Sequence, residues 1–212
     1  MANSPSFELR SAQSIIRRMN RGRPRTFDPD LVLENAMQLF WSKGYEGTSL
    51  QDLLEATRLS KSSLYESFGN KQSLFEAAFS RYVESRATHL LERLELAASP
   101  LAFIRECLLA VLDDAERATP RGCMLVNVAN EFSTRDPAVQ RLITLATRRF
   151  CGVFEQAFQQ AQAAGEVSDA QPPAVCARYL HCVMSGLRTQ TKAGMEQQEL
   201  RTVIELFMAS VS

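Results

Sequence analysis

Residues Thr48–Lys71, TSLQDLLEATRLSKSSLYESFGNK, carry the most informative pattern in this chain. Its hydroxyl and glycine residues predict two short helices joined by a tight turn. Thr48 and Gln51 form a capping box that starts the first helix, Ser60 caps the second, and Gly69 ends it. Small hydrogen-bonding side chains on one side of the second helix suit a DNA groove. The pattern therefore predicts a helix-turn-helix, whose second helix enters the major groove.

The predicted DNA contacts are hydroxyl and cationic side chains near the starts of these helices. In chain order they are Thr48, Ser49, Lys61, Ser62, Ser63, Tyr65 and Lys71. The two at the start of the first helix are placed to donate to a phosphate beside unpaired backbone amides. The lysine and the two serines in the first turn of the second helix reach base edges, and the tyrosine and the last lysine contact phosphates. Because a serine hydroxyl both donates and accepts, no base preference follows.

A basic segment precedes the helix-turn-helix. The chain has 24 basic and 24 acidic side chains, yet residues 1–27 hold six arginines and one glutamate, a net charge of +5. We interpret residues 1–27 as a flexible arm in which Arg23 and Arg25 follow a narrow A·T-rich minor groove. A solvated tail is the alternative interpretation of such a segment. Its position beside a helix-turn-helix favours the groove.

The rest of the chain carries only helical signals. Pro29 follows Asp28 at the start of a helix that precedes the helix-turn-helix stretch. Asn70 caps a long helix to about Leu96, and further prolines or glycines begin the later helices. We predict an all-α fold of about nine helices. The expected domains are the arm (1–27), a helix-turn-helix DNA-binding domain (28–80) and a helical effector-binding and dimerisation domain (81–212).

Several functional classes are disfavoured by composition and spacing. No apolar run approaches the length of a membrane span, no export signal opens the chain, and the five cysteines form no C-x-x-C pair. We therefore expect a cytoplasmic protein with reduced thiols. No glycine-rich phosphate loop or nucleophile elbow indicates an enzyme or a cofactor. His181 and Cys182 are adjacent on a helix and point about 100° apart, so no metal site is expected.

The helix-turn-helix resembles the TetR family of transcriptional repressors. The resemblance covers residues 22–80 and rests on the Thr-Ser-Leu opening, the Leu-Ser-Lys-Ser-Ser-Leu-Tyr middle, the Phe-Gly-Asn-Lys close, and the first-helix pattern Ala36…Leu39-Phe40…Gly44-Tyr45. It implies a homodimeric repressor that a small effector releases from a palindromic operator. Such proteins commonly have glycine where this chain has Arg58. A left-handed arginine there costs about 1 kcal/mol relative to glycine.

The resemblance also implies an effector pocket in the later helices. The candidate wall residues are Phe103, Cys107, Cys123, Met124, Asn127, Phe150, Phe154 and Met184. Each also fits an ordinary core position, but their apolar character favours a largely hydrophobic effector. Whether the chain represses or activates stays open, and a helical protein-interaction module without specific DNA binding is a weaker alternative.

Cys123 supports a second way of regulating the chain. Gly122-Cys123 lies at a predicted helix start beside Arg121, where the helix dipole lowers the pKa of a thiol. The Pro-Arg-Gly-Cys sequence is similar to that of a family branch in which some members respond to electrophiles or oxidants. A thiol-based regulator is therefore an alternative, and a small core residue is the ordinary interpretation.

The last helix is broader in apolar surface than one core contact requires. Leu200, Val203, Ile204 and Phe207 form one face, and other apolar side chains extend it sideways. We therefore predict a two-fold dimer through the last two helices. A thicker monomer core is the alternative.

Overall fold

A computed structural model describes residues 27–115, 121–132 and 136–212 of the 212-residue chain. Within those ranges the chain forms nine helices and no strands, as predicted. Residues 1–26 of the predicted basic arm, which include Arg23 and Arg25, lie outside the described residues. The helices are α1 Pro29–Lys43, α2 Leu50–Thr57, α3 Lys61–Phe68, α4 Lys71–Leu96, α5 Pro100–Ala115, α6 Met124–Phe132, α7 Pro137–Ala163, α8 Pro173–Lys192 and α9 Gln197–Val211. None of these helices is long and apolar enough to cross a bilayer.

Local caps explain several of the helix starts. The Asp28 carboxylate accepts the Asp30 amide at 2.9 Å, and Pro29 occupies the first helical position of α1. Ser60 accepts the Ser63 amide at the start of α3, and Asn70 accepts the Ser73 amide at the start of α4. These starts agree with the sequence prediction because each cap depends on residues only two or three positions apart.

The start of α2 differs from the prediction by one residue. Ser49, not Thr48, is the N-cap, and the capping box pairs Ser49 with Asp52 rather than Thr48 with Gln51. Thr48 is fully buried, and its hydroxyl donates to the Gly44 carbonyl oxygen at 2.6 Å. Since that hydroxyl closes the turn before α2, it is not available to cap the helix.

The structure divides into two compact units. The described part of the first comprises residues 27–84, 131–132 and 136–142, and that of the second comprises 85–115, 121–130 and 143–212. The predicted domain boundary at residues 80–81 lies inside α4, shortly before the division. The sequence did not indicate that residues after 130 group with the helix-turn-helix. Helices α4, α6 and α7 each continue through the division.

The first unit is held by leucines and an aromatic cluster. Leu53 of α2 and Leu64 of α3 are fully buried. The Phe75 ring lies 5.2 Å from each of the rings of Phe40, Tyr45 and Phe132, measured between centroids. This cluster joins α1, the following turn, α4 and the end of α6.

The core of the second unit lies where α5, α8 and α9 pack together. Its fully buried side chains include Phe103, Leu180, Leu200 and Ile204. Phe207 of α9 is buried and lies 4.9 Å from Tyr179 of α8, measured between ring centroids. Each helix therefore uses one face for this core.

Candidate nucleic-acid interface

Helix α3 has one anchored face and one exposed face. Leu64 and Phe68 are buried, whereas Lys61 and Ser62 are exposed and Tyr65 retains 43% of its surface. The predicted orientation, with the serine and lysine side outward, is therefore present. A short helix whose inner face is buried and whose exposed face is polar can enter a major groove. The individual base and phosphate contacts stay predictions.

The hydroxyls at the start of α3 are connected to one another. The Ser60 Oγ lies 3.0 Å from the Ser62 Oγ and 2.8 Å from the Ser63 Oγ, and it accepts the Ser63 amide at 3.1 Å. Ser62 is exposed, whereas Ser63 is half-buried. Ser62 is therefore the better placed of the two predicted serines to reach a base edge.

The N-terminus of α2 is arranged differently from the prediction. Because Thr48 is buried and its hydroxyl is already used, its side chain does not reach a phosphate. Ser49 is exposed, but its hydroxyl and its amide both donate to Asp52, at 2.8 and 2.9 Å. A phosphate at this end would therefore meet the amides of Leu50 and Gln51, which have no acceptor within the helix.

A cation that the sequence pattern did not indicate, Lys43, balances the charge of Asp52. The Lys43 ammonium donates to Asp52 at 2.6 Å, and this bond, with those from Ser49, lowers the pKa of Asp52 to about 2. Lys43 is the last residue of α1 and is exposed. The sequence places Lys43 directly before the helix-ending Gly44, but it does not indicate that Lys43 pairs with Asp52, nine residues later.

Lys71 lies against an aromatic ring at the start of α4. Its ammonium is 4.3 Å from the centroid of the Tyr45 ring, within the range of a cation–π contact. Partial burial, followed by the nearby carboxylates of Glu46 and Asp136, raises the pKa of Tyr45. The ring thus holds the ammonium at the start of α4, where the sequence predicts a phosphate contact. That contact stays a prediction.

The turn between α2 and α3 contains the predicted left-handed arginine. Arg58 has φ 56° and ψ 25°, and it is the one non-glycine residue with positive φ in the described ranges. Because an arginine stands where related proteins commonly have glycine, the backbone of this turn is strained at Arg58.

The predicted effector-contact residues all belong to the second unit. Phe103, Cys107, Met124, Phe150 and Phe154 are buried, and Cys123, Asn127 and Met184 are half-buried. Burial raises the pKa of the Cys107 thiol to about 12, so this cysteine is a core residue without a reactive thiolate. Asn127 donates to the Arg121 carbonyl oxygen at 3.0 Å, which shapes the approach to α6. Their contacts with an effector stay predictions.

Two family models match the chain. The model for bacterial regulatory proteins of the tetR family matches residues 32–78, and the model for the tetracyclin repressor-like C-terminal domain matches residues 100–207. The HTH-type transcriptional repressor ComR of Escherichia coli K12 is 30% identical over 192 residues, which cover 87% of this chain and 89% of ComR. The uncharacterised HTH-type regulator YezE of Bacillus subtilis 168 is 31% identical, over 89% of this chain and 98% of YezE.

A solved structure extends the similarity to a DNA complex. A cysteine mutant of the TetR family regulator CifR, bound to 26-base-pair operator DNA, has 29% sequence identity and a TM-score of 0.74. The match covers 90% of this chain and all of the CifR chain. The reduced form of E. coli NemR shares the fold at a TM-score of 0.80 and 19% identity, over 86% of this chain and 96% of NemR.

These matches define a class of DNA-binding transcriptional regulators rather than of enzymes. The chain belongs to the TetR family.

Proposed function

We propose that this regulator is a homodimeric cytoplasmic repressor that a small, mostly apolar effector releases from a palindromic operator. The observation that carries operator binding is the outward polar face of α3, anchored by the buried Leu64 and Phe68. The repressor ComR and the operator complex of CifR support repression by operator binding in this family. Two copies related by a two-fold axis would present their α3 helices to successive major grooves, about 34 Å apart.

Exposed apolar side chains on the last two helices support the dimer. Val175 and Tyr179 of α8 and Val203 and Leu206 of α9 are exposed, and Leu206 retains 66% of its surface. Although Tyr179 also contacts the Phe207 ring, all four side chains stay exposed in the single chain and leave apolar surface uncovered. A second copy of the same surface would bury both sets across a two-fold axis.

The apolar interior of the second unit supports a largely hydrophobic effector. Most of the candidate wall residues are aromatic or sulfur-containing and lie on α5, α6 and α7. An effector releases DNA only if it binds the low-affinity arrangement of the dimer more tightly than the operator-binding one. A coupling of about 1–3 kcal/mol is typical for such regulation.

Regulation through Cys123 is the second candidate. Cys123 is half-buried and directly precedes α6, where its carbonyl oxygen accepts the Asn127 amide at 2.9 Å. The CifR operator complexes were obtained with cysteine substitutions, and NemR was solved in a reduced form. If this thiol is the switch, N-ethylmaleimide releases DNA from the wild type but not from Cys123→Ser. Equal release from both proteins contradicts the thiol switch and leaves the effector proposal intact.

Fluorescence anisotropy with upstream DNA that contains an inverted repeat tests operator binding. Binding should weaken steeply with salt because phosphate contacts release counterions, and Lys71→Ala should reduce the slope of the salt dependence by about one. Arg148→Ala, an exposed cation on α7, is the matched control and should leave the slope unchanged. No preference for the inverted repeat over scrambled DNA contradicts the proposal.

A further inference from the structure

A carboxylate at the end of α6 holds the turn between α1 and α2. The two oxygens of Glu131 accept the amides of Tyr45 at 2.9 Å and Glu46 at 2.7 Å, from 86 and 85 residues away in sequence. A Cβ on Gly44 would lie 3.2 Å from both oxygens, so the carboxylate is pressed closely against the turn. All four residues belong to the first unit. We propose that Glu131 is a positioning residue for operator binding, which rests on the proposed function above.

The turn that Glu131 holds determines where helix α2 begins. Within it, the Thr48 hydroxyl donates to the Gly44 carbonyl oxygen and the Thr48 amide donates to the Tyr45 carbonyl oxygen. Ser49 follows immediately as the N-cap of α2. The two hydrogen bonds from Thr48 therefore connect the start of α2 to the peptide groups whose amides donate to Glu131. Losing the carboxylate frees the turn and allows α2, and α3 with it, to shift.

Neighbouring contacts hold Glu131 in place. The Phe132 ring lies 4.9 Å from the Tyr45 ring, measured between centroids. Gln72 of α4 donates to Asp136 at 2.7 Å, just before α7. Phe132, the next residue after Glu131, therefore packs against the same turn that Glu131 binds, and Asp136 is bonded to the start of α4. The Glu131 carboxylate supplies hydrogen bonds to the turn, and the Phe132 ring supplies an apolar contact.

Two variants of Glu131 separate this role from general stability. Glu131→Ala removes both acceptors and should weaken operator binding about tenfold, because charge-assisted hydrogen bonds are the stronger class. Glu131→Gln keeps one acceptor oxygen and should fall between Ala and the wild type. The salt slope should be unchanged in both, because the bound variants make the same phosphate contacts once the loosened turn has been reordered on DNA. Asn130→Ala changes the exposed neighbour on the same helix and should bind like the wild type.

Amide hydrogen exchange provides a readout that does not depend on DNA. Exchange at Tyr45 and Glu46 should become faster in Glu131→Ala and stay unchanged in Asn130→Ala, at a temperature where circular dichroism shows both variants folded. Unchanged exchange, unchanged operator affinity or tighter operator binding in Glu131→Ala overturns the role of Glu131. A wild-type chain without specific DNA binding overturns the proposed function itself.

Discussion

Replacing Arg58 with glycine should make the folded chain more stable. Arg58 occupies the left-handed region, at φ 56° and ψ 25°, in the turn between α2 and α3. A left-handed conformation costs an L-residue about 1–2 kcal/mol, because its Cβ approaches the following carbonyl oxygen. Glycine does not have this cost, but it loses about 0.5–1 kcal/mol more conformational entropy on folding. The net gain expected for Arg58→Gly is therefore about 0–1.5 kcal/mol, with a central value of about 0.75 kcal/mol.

Thermal unfolding followed by circular dichroism measures this gain. For a chain of this size, about 1 kcal/mol corresponds to a rise in Tm of about 2–4 °C, so the variant should melt about 1–3 °C higher. Urea denaturation at 25 °C should show a higher midpoint with an unchanged slope, because the folded surface is the same. Arg58 is exposed, so no buried contact is lost.

Two further variants isolate the backbone term. Arg58→Ala removes the guanidinium but keeps the Cβ, so it should not raise Tm. Gly69→Ala introduces a Cβ where φ is 84°, at the end of α3, and the nearest atom to that Cβ, the Ser73 Oγ, lies 3.9 Å away. It should lower Tm through backbone strain alone. A lower Tm for Arg58→Gly, or an equal rise for Arg58→Ala, refutes the reasoning.

Three other predictions concern pH, thiol reactivity and assembly. The folded pKa of Asp52 lies near 2, below its usual 3.8, so its stabilising effect is present above about pH 4 and lost as the pH falls towards 2. Asp52→Asn should therefore lower the urea midpoint more at pH 7 than at pH 2, and an equal deficit at both pH values contradicts this. Burial raises the pKa of Cys107 to about 12, so Cys107 should resist iodoacetamide at pH 8 while the exposed Cys182 reacts. Peptide mass spectrometry measures both reactions. Rapid labelling of Cys107 in the folded chain argues against its burial. Leu206→Glu should give a monomer in sedimentation velocity, whereas the exposed Gln198→Glu should remain dimeric, and a stable Leu206→Glu dimer places the interface elsewhere.

Helix boundaries were largely predictable because their causes are local. Asp28, Ser60 and Asn70 each accept an amide two or three residues ahead, so the sequence alone identifies these caps. The N-cap of α2 was predicted wrongly as Thr48, because local sequence does not distinguish it from Ser49. Thr48 and Ser49 are both competent N-caps, and the choice depends on which hydroxyl is buried against the turn from Gly44.

The candidate interface was predictable in its orientation but not in its supports. Apolar spacing correctly turned Leu64 and Phe68 inward, which leaves Lys61 and Ser62 outward. The ion pair of Lys43 with Asp52 was not predicted, because its partners belong to different helices. Such pairs depend on how the helices pack, and no pattern of period 3.6 encodes that.

The all-α class, the outward face of α3 and the strain of a left-handed Arg58 could be read from the amino-acid sequence. Each follows from steric and hydrogen-bonding preferences within a few residues. The bonds from the amides of Tyr45 and Glu46 to Glu131 could be found only in the folded chain. Residues so far apart in the chain meet only after the intervening helices have packed, because their contact depends on the summed geometry of every helix between them.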